Sequence, residues 1–397
     1  MRFSARQETL LAMLKAVRTV AGKAHTAGVP AGVCLRSRGD GRLEMAATDG
    51  QTSVRLLSLP NTDGTEPGAA VLSASMFGDF IATLGPGSVE CTASTRAPNM
   101  LEVSYMGGRG KAHFATFGDD PALFETYQAA ADSNWAGKWS LPASVFRSAV
   151  GQVDYACNLS LGYALAGVRV ILGGGEMRLV GLDNFRIATR TVSVSGDGEA
   201  TFTVPVRAMA IAKQVLTGNG EVTIGLLSEA ESPRVQLAGE GDAGTCVEVT
   251  TASITERYPD WQRFTSLPPL EARCDTGTVD LIAGIGRIEK VVRADGSVRF
   301  NWPAAGGGLA LTGKEREAGS CETVLDADTI GEGNIAMGAG FLLEFLRTVE
   351  SDRVSIGLVE AGSMVMGRIS AVGLEHGEHL YVLAPRYVPD YGEARRR

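Results

Sequence analysis

The four histidines and six cysteines are the residues best equipped for chemistry in this 397-residue chain. His376 and His379 stand three apart in the segment HGEH, with no third ligand motif beside them. The pair therefore reads as part of a solvated loop rather than a metal centre. His25 and His113 are isolated. Cys34, Cys91, Cys157, Cys246, Cys274 and Cys321 are scattered with no CxxC pair, which argues against a zinc site or a redox motif and for a reducing compartment. There is no G-x-S-x-G, no P-loop, and no GxGxxG opening a helix after a strand. A hydrolase could recruit carboxylates such as Asp49 and Asp183. Those two occupy matching positions of an internal repeat, which favours a shared turn over a catalytic pair. No catalytic constellation emerges, and neither a metal nor a cofactor is expected.

The elements that would hold any site form a repeating α+β pattern. Leu165 to Leu172 and Met177 to Leu182 read as two strands around a Gly173-Gly174-Gly175 turn, a hairpin signal. Asp183-Asn184 turns again, and Phe185 to Ala188 resumes an extended run. Variants of this block recur. Amphipathic spacing predicts helices over 8–23, 74–84, 143–157, 206–216, 278–293 and 340–350. The first hairpin strand begins at Val33, Val168 and Val298. The strand ahead of the second helix begins at Val71, Phe202 and Ile335. Helix, hairpin, helix and strands thus return twice at a period near one domain length, far longer than a solenoid repeat. Three similar domains are expected: 1–132, 133–268, and 269–397 with a polar tail over 389–397.

Hydrophobic residues make up 44% and charged residues 21%, the balance of a folded protein rather than a disordered one. The 50 glycines fall mostly between strand-like runs and read as turns. No apolar run is long enough to span a bilayer, and the opening MRFSARQETLLAMLKAV lacks the features of a signal peptide. Net charge is −8, which by itself argues against a generally basic nucleic-acid binder. Its distribution says more. The six helical segments carry ten Lys or Arg and seven Asp or Glu, a net of +3, and the rest of the chain is −11. A basic helical layer on an acidic body suits a protein that meets phosphates on one face without reading sequence.

With these motifs in order, the chain resembles a bacterial sliding clamp, the β subunit of DNA polymerase III. The resemblance rests on MRFSARQETLL, Thr48-Asp49-Gly50, Leu165-Ala166-Gly167-Val168, Leu182 to Ala188, Tyr258-Pro259-Asp260-Trp261 and Leu383-Ala384-Pro385, and it covers essentially the whole chain. It implies a head-to-tail homodimer closed into a ring of six domains, with helices lining a hole that encircles duplex DNA and sheets on the rim. The implied DNA contacts are Lys15, Arg18, Lys23, Arg147, Arg207, Lys213, Arg287, Lys290 and Arg347, with Lys23 foremost. The resemblance also implies a hydrophobic cleft for short linear peptides of polymerases, clamp loader and repair proteins. By motif match it uses Leu165, Leu182, Asn184, Phe185, Arg186, Ile187, Pro259, Arg263, Phe264, Val382, Ala384, Pro385 and Arg386. Phe114, on an edge strand of the first domain, is expected at the dimer interface against an acidic face of the third. The role implied is a non-catalytic processivity subunit in the cytoplasm, at the nucleoid, with no membrane contact.

Two departures from the family pattern bear on the cleft. Asn184-Phe185 follows Asp183 where the family has Gly and then His or Tyr. Leu383-Ala384-Pro385-Arg386 stands where the family usually has a Met-Pro-Met/Val-Arg-like segment, so that Ala384 removes apolar volume from one cleft position and Arg386 puts a charge in another. Both point to a divergent or auxiliary clamp with altered peptide preference. The competing function classes are a three-domain protein-binding scaffold that does not encircle DNA, and the hydrolase above.

Overall fold

The computed structural model describes residues 1–21, 32–60, 65–93, 99–117, 121, 124, 135–160, 164–227, 233–266, 268–292, 296–304, 306–315, 319–361, 364–374 and 377–386. Seven α-helices run through these residues. They are α1 (Gln7–Val17), α2 (Ala74–Thr83), α3 (Ala143–Gly151), α4 (Val206–Val215), α5 (Gln262–Thr265), α6 (Thr278–Val292) and α7 (Ala339–Leu346). All others are strands, single 3₁₀ turns or connections.

The chain forms two compact units. The first holds residues 1–147, 172–175 and 194–255, the second 148–171, 176–193 and 256–397. In the first unit a four-stranded sheet runs in the order Arg2–Arg6, Ser88–Ala93, Met100–Tyr105, Gly110–Ala115. A nine-stranded antiparallel sheet runs Ser195–Gly196, Trp135–Pro142, Glu221–Leu227, Arg234–Glu240, Cys246–Ala252, Thr52–Leu57, Leu43–Thr48, Val33–Ser37, Gly68–Leu72. In the second unit one sheet includes, in order, Gly167–Gly173, Glu176–Leu182, Arg186–Ser193, His379–Leu383, Met364–Val372, Arg353–Ala361, Pro269–Gly277 and Ala327–Ile330. Its four-stranded sheet runs Gly319–Leu325, Leu309–Glu315, Ser297–Trp302, Gly333–Gly338.

The expected repeat is visible in backbone hydrogen bonds. The first residues of α1, α3 and α6 donate to Gly87, Gly220 and Asp352, each the residue just ahead of a strand. The carbonyls of Val71, Thr203 and Ala336 each lie three residues ahead of α2, α4 and α7 and accept from Phe117, Ile254 and Arg386. Side-chain pattern explains why the helices sit where they do. α1 buries Leu10, Met13, Leu14 and Val17, one stripe at helical spacing. Ser73 caps α2 by accepting from the Met76 N–H at 3.3 Å. The Gly173–Gly175 hairpin forms as read: Gly174 and Gly175 take φ of +62° and +77°, values that glycine adopts without strain.

Three helix ends differ from the expectation. α1 stops at Val17 rather than at 23, because Thr19 and Val20 turn back to Ala16 and Val17 in tight i→i+3 bonds and bury Val20. Lys23 lies outside the described residues. α3 stops at Gly151, and a 3₁₀ turn at Asp154–Ala156 replaces its expected last turns. α7 likewise stops at Leu346, followed by i→i+3 turns over Thr348 and Val349. Apolar residues continue past each end, so periodicity alone overruns the helix. The expected loop at HGEH is also corrected. His379 opens a strand and is 1% exposed, its ring 4.8 Å from that of Phe345. His376 lies outside the described residues.

Candidate functional site

The second unit holds a broad apolar surface on a rigid base. Leu182 pairs across strands with Ile187, and Ile187 with Val382, which sets three aliphatic side chains in one row. Val180, Tyr258, Trp261, Val359, Met366 and Leu380 complete a buried layer under them. Tyr258 is fixed by its hydroxyl, which donates to the Val180 carbonyl at 2.9 Å, and burial pushes its pKa up. The 3₁₀-like turn after Trp261 runs into α5, which brings Phe264 to the margin of the layer. Leu165, Phe264, Ala361 and Ala384 pack there half-buried. Phe185 is 56% exposed, Met364 is 48% exposed, and Pro259 is exposed. Apolar side chains half out of water above a buried floor make a binding surface for another apolar group.

The polar groups around this surface are mostly spent on the protein itself. Asp183 Oδ1 accepts from the N–H groups of Phe185 and Arg186 at 2.8 and 3.0 Å, closing the turn that presents Phe185. Arg186 is 8% exposed. Its Nε donates to Asp183 at 3.0 Å, Nη2 to the Tyr155 carbonyl at 2.7 Å, and Nη1 to Glu344. Burial opposes the charge on this guanidinium, and the Glu344 hydrogen bond and nearby anions more than offset it, so its pKa is raised. Its plane lies 4.4 Å from the Phe341 ring, on which Phe185 stacks at 6.1 Å. Arg263 covers Phe264 at 4.4 Å, and Arg386 reaches Phe341 at 6.0 Å. Asn184 is exposed and Pro385 half-buried, and the Ala384 N–H donates to the Phe185 carbonyl at 2.8 Å.

All thirteen residues expected at the cleft fall in one unit; Leu165, Leu182, Ile187, Phe264, Val382 and Ala384 pack in or against the buried layer, and Phe185, Arg186 and Arg386 gather at Phe341. Arg186 differs from the others, being a strut rather than a free contact. Phe341, Met366, Val359 and Trp261 were not singled out as cleft residues from sequence. Phe341 sits in a helix that carries no motif, and only the stacking of Phe185 reveals it. The chemistry on offer is binding. Among the described residues no group of three His, Cys, Asp or Glu is placed to hold a metal. Burial pushes the Cys157 thiol up to about 12, far from a reactive thiolate.

The helix cations separate into two sets. Lys15, Arg18, Arg207, Arg287, Lys290 and Arg347 are exposed, and Lys290 lies 3.8 Å from Glu289. Arg18 pairs with Asp79 at 2.9 Å and Arg207 with Asp49 at 3.1 Å. Arg147 is half-buried and donates to the carbonyls of Leu216 and Gly218 at 2.7 and 3.2 Å, capping the end of α4. Lys213 is also half-buried. Phe114 lies on the edge strand Gly110–Ala115 and packs edge-on against Phe77 and Phe80 at 5.3 and 5.2 Å.

Comparison with known proteins bears on the fold. Residues 140–259 match the family model for the DNA polymerase III beta subunit, central domain. The DNA polymerase III subunit beta of Pseudomonas aeruginosa is 19% identical with a TM-score of 0.80, over 98% of this chain and 100% of that one. The DNA polymerase sliding clamp of Bacillus subtilis is 17% identical with a TM-score of 0.82, over 98% and 99%. A Pseudomonas aeruginosa sliding clamp bound to griselimycin is 18% identical with a TM-score of 0.81, over 98% and 100%. Residues 140–259 are thus similar to the central domain of the DNA polymerase III beta subunit, and the chain as a whole has the fold of these solved sliding clamps.

Proposed function

We propose that this protein is a DNA sliding clamp. Three domains, 1–132, 133–268 and 269–397, make half of a ring. Two copies close it head to tail around duplex DNA, and the cleft takes short peptides of polymerases, clamp loader and repair proteins. The protein is then a non-catalytic processivity subunit that works in the cytoplasm at the nucleoid. Among the described residues no helix is long and apolar enough to cross a membrane.

The observation that carries the ring is a pair of open sheet edges. Strand Thr52–Leu57 continues into Cys246–Ala252, and Arg186–Ser193 continues into His379–Leu383. The equivalent edge after the third hairpin, Gly319–Leu325, has one neighbour among the described residues. So does the closing strand of the first repeat, Gly110–Ala115. Open edges invite pairing, and a second copy supplies each edge with its complement in a closed, head-to-tail arrangement. Exposed Lys15, Arg287, Lys290 and Arg347 then give sequence-independent phosphate contacts, which is all that sliding needs.

Light scattering and retention on DNA circles test this. A dimer mass is expected, together with retention on nicked circles after clamp loading and loss when the circle is cut. A protein that binds clamp peptides but shows equal retention on circular and linear DNA is a scaffold, not a clamp.

A further inference from the structure

We infer that Arg386 makes the apolar surface of the second unit selective for peptides that carry a carboxylate about four residues from their apolar anchor. This rests on the peptide-binding role proposed above and adds to it the charge of the partner.

The two arginines beside the Phe341 ring are placed for different work. Arg186 is 8% exposed and commits its donors to Asp183, Glu344 and the Tyr155 carbonyl. Arg386 is exposed, and its guanidinium lies 6.0 Å from the centre of the Phe341 ring. Its Nε and Nη2 stand 3.4 and 3.6 Å from the point that a Cβ on Gly338 would occupy, so the bare backbone at 338 and the ring of Phe341 form a shelf under the guanidinium. Gly338 is the residue ahead of α7. A cation there meets the positive end of the helix dipole, and an anion brought to it is favoured by both. A guanidinium has five N–H groups in a planar fork and takes a carboxylate through two of them.

The backbone holds this charge in place. The Arg386 N–H donates to the Ala336 carbonyl at 2.7 Å, and two residues earlier the Ala384 N–H donates to the Phe185 carbonyl at 2.8 Å. The segment is thus clipped on one side to the strand that leads into α7 and on the other to the turn that presents Phe185. A cation fixed at its backbone and resting on a ring loses less freedom on binding than one on a loose side chain.

The same segment runs into the aliphatic row. Val382, which faces Ile187, stands four residues before Arg386. Four residues of chain span at most about 14 Å, so an extended peptide with an apolar side chain on the row brings a residue about four positions away to the guanidinium. The acids of the neighbouring strands and of α7 are turned to other uses. Asp183 and Glu344 are bonded to Arg186. Glu360 stands between Val359 and Ala361, which both pack on the buried layer, so its side chain points to the opposite face. Cations therefore mark the margins of the apolar surface, Arg386 by Phe341 and Arg263 over Phe264, and an acidic partner complements them.

Fluorescence anisotropy on the full chain, with synthetic peptides as probes, tests this. Each peptide carries a Leu-Phe anchor pair, blocked ends, and Glu, Gln or Lys three or four residues to one side of the anchor or the other. One further Gln peptide keeps a free C-terminal carboxylate. The best Glu peptide is expected to bind about fivefold more tightly than its Gln counterpart, and the Lys peptide more weakly than either. High salt is expected to narrow the gap. Arg386→Met is expected to close it while leaving the Gln peptide little changed, and Arg386→Glu to reverse it in favour of Lys. A gain from the free C-terminal carboxylate identifies a chain end as the partner's anion, and a gain confined to Glu identifies an internal acidic residue; each supports the inference. If Glu and Gln peptides bind the wild-type chain equally, or the gap survives in Arg386→Met, the inference fails and the peptide-binding role stands. If no peptide of the set binds, that role itself fails, and the inference with it.

Discussion

Two residues show how far side-chain identity and position can part. Phe185 looks like core by type, yet it is 56% exposed on a turn held by Asp183. Phe185→Ala is expected to change unfolding free energy by less than about 1 kcal/mol, as exposed substitutions do. It should weaken a clamp-binding peptide about tenfold or more, as removal of an aromatic anchor does. Urea unfolding and fluorescence anisotropy separate the two effects, and a large stability loss with unchanged peptide affinity would move Phe185 from the cleft to the core. His379 is the reverse, polar by type and buried in fact. Burial, and then the nearby Arg190 charge, lower its pKa to about 4. Neither ring nitrogen makes a hydrogen bond among the described residues. In the unfolded chain the imidazole titrates at its ordinary value of about 6.5. Between these values the unfolded state holds a proton that the folded state refuses, so stability is full above about 6.5 and falls as pH drops toward 4. From pH 7.5 to 5 this one group is expected to remove about 2 kcal/mol. His379→Phe, which keeps the ring beside Phe345, should lose correspondingly less over the same range in urea titrations.

At the scale of elements, the sequence is most legible where a period repeats. The helix starts, the glycine hairpin and the Asp49 and Asp183 turns follow from local chemistry: a buried stripe, φ above zero at glycine, and a carboxylate accepting from the N–H groups two and three residues on. Helix ends are less legible, since Val20 and Ala156 continue the apolar pattern into 3₁₀ turns and are buried all the same. α5 went unread because four residues carry no period. The apolar row of Leu182, Ile187 and Val382 was legible through its motifs, and the Phe341 ring on which Phe185 stacks was not, since Phe341 is a half-buried residue of a helix that carries no motif. Arg147 was read as a DNA contact from its helix position, and its two hydrogen bonds to the end of α4 could not have been foreseen from spacing. Arg147→Ala is expected to cost about 2 kcal/mol of stability, the range for charged hydrogen bonds to carbonyls left without a partner. Thermal melting that leaves the midpoint unmoved would return Arg147 to the DNA-facing set.

At the scale of the whole molecule, the proposed clamp is an acidic protein that would have to hold an acidic polymer without gripping it. Pairing of cations inside the protein is one means to that end. Arg18 and Arg207 each face an aspartate, so their pull on phosphate is partly cancelled, whereas Arg287 and Arg347 carry no such partner at short range in the ion pairs present among the described residues. Binding to open linear duplex, where topology contributes nothing, reads this balance directly. Each phosphate contact adds roughly 0.9 to the steepness with which affinity falls on a log–log plot against salt. Arg287→Gln and Arg347→Gln together are expected to flatten that slope by about 2 and to weaken binding at low salt while leaving the dimer mass unchanged. Asp79→Asn and Asp49→Asn release Arg18 and Arg207 and are expected to steepen the slope and tighten binding. A clamp so altered should hold linear DNA longer and slide more slowly, which single-molecule diffusion measurements can follow. If the aspartate variants leave both slope and diffusion constant where they were, the helices do not set the grip, and the phosphate contacts must come from another surface of the chain.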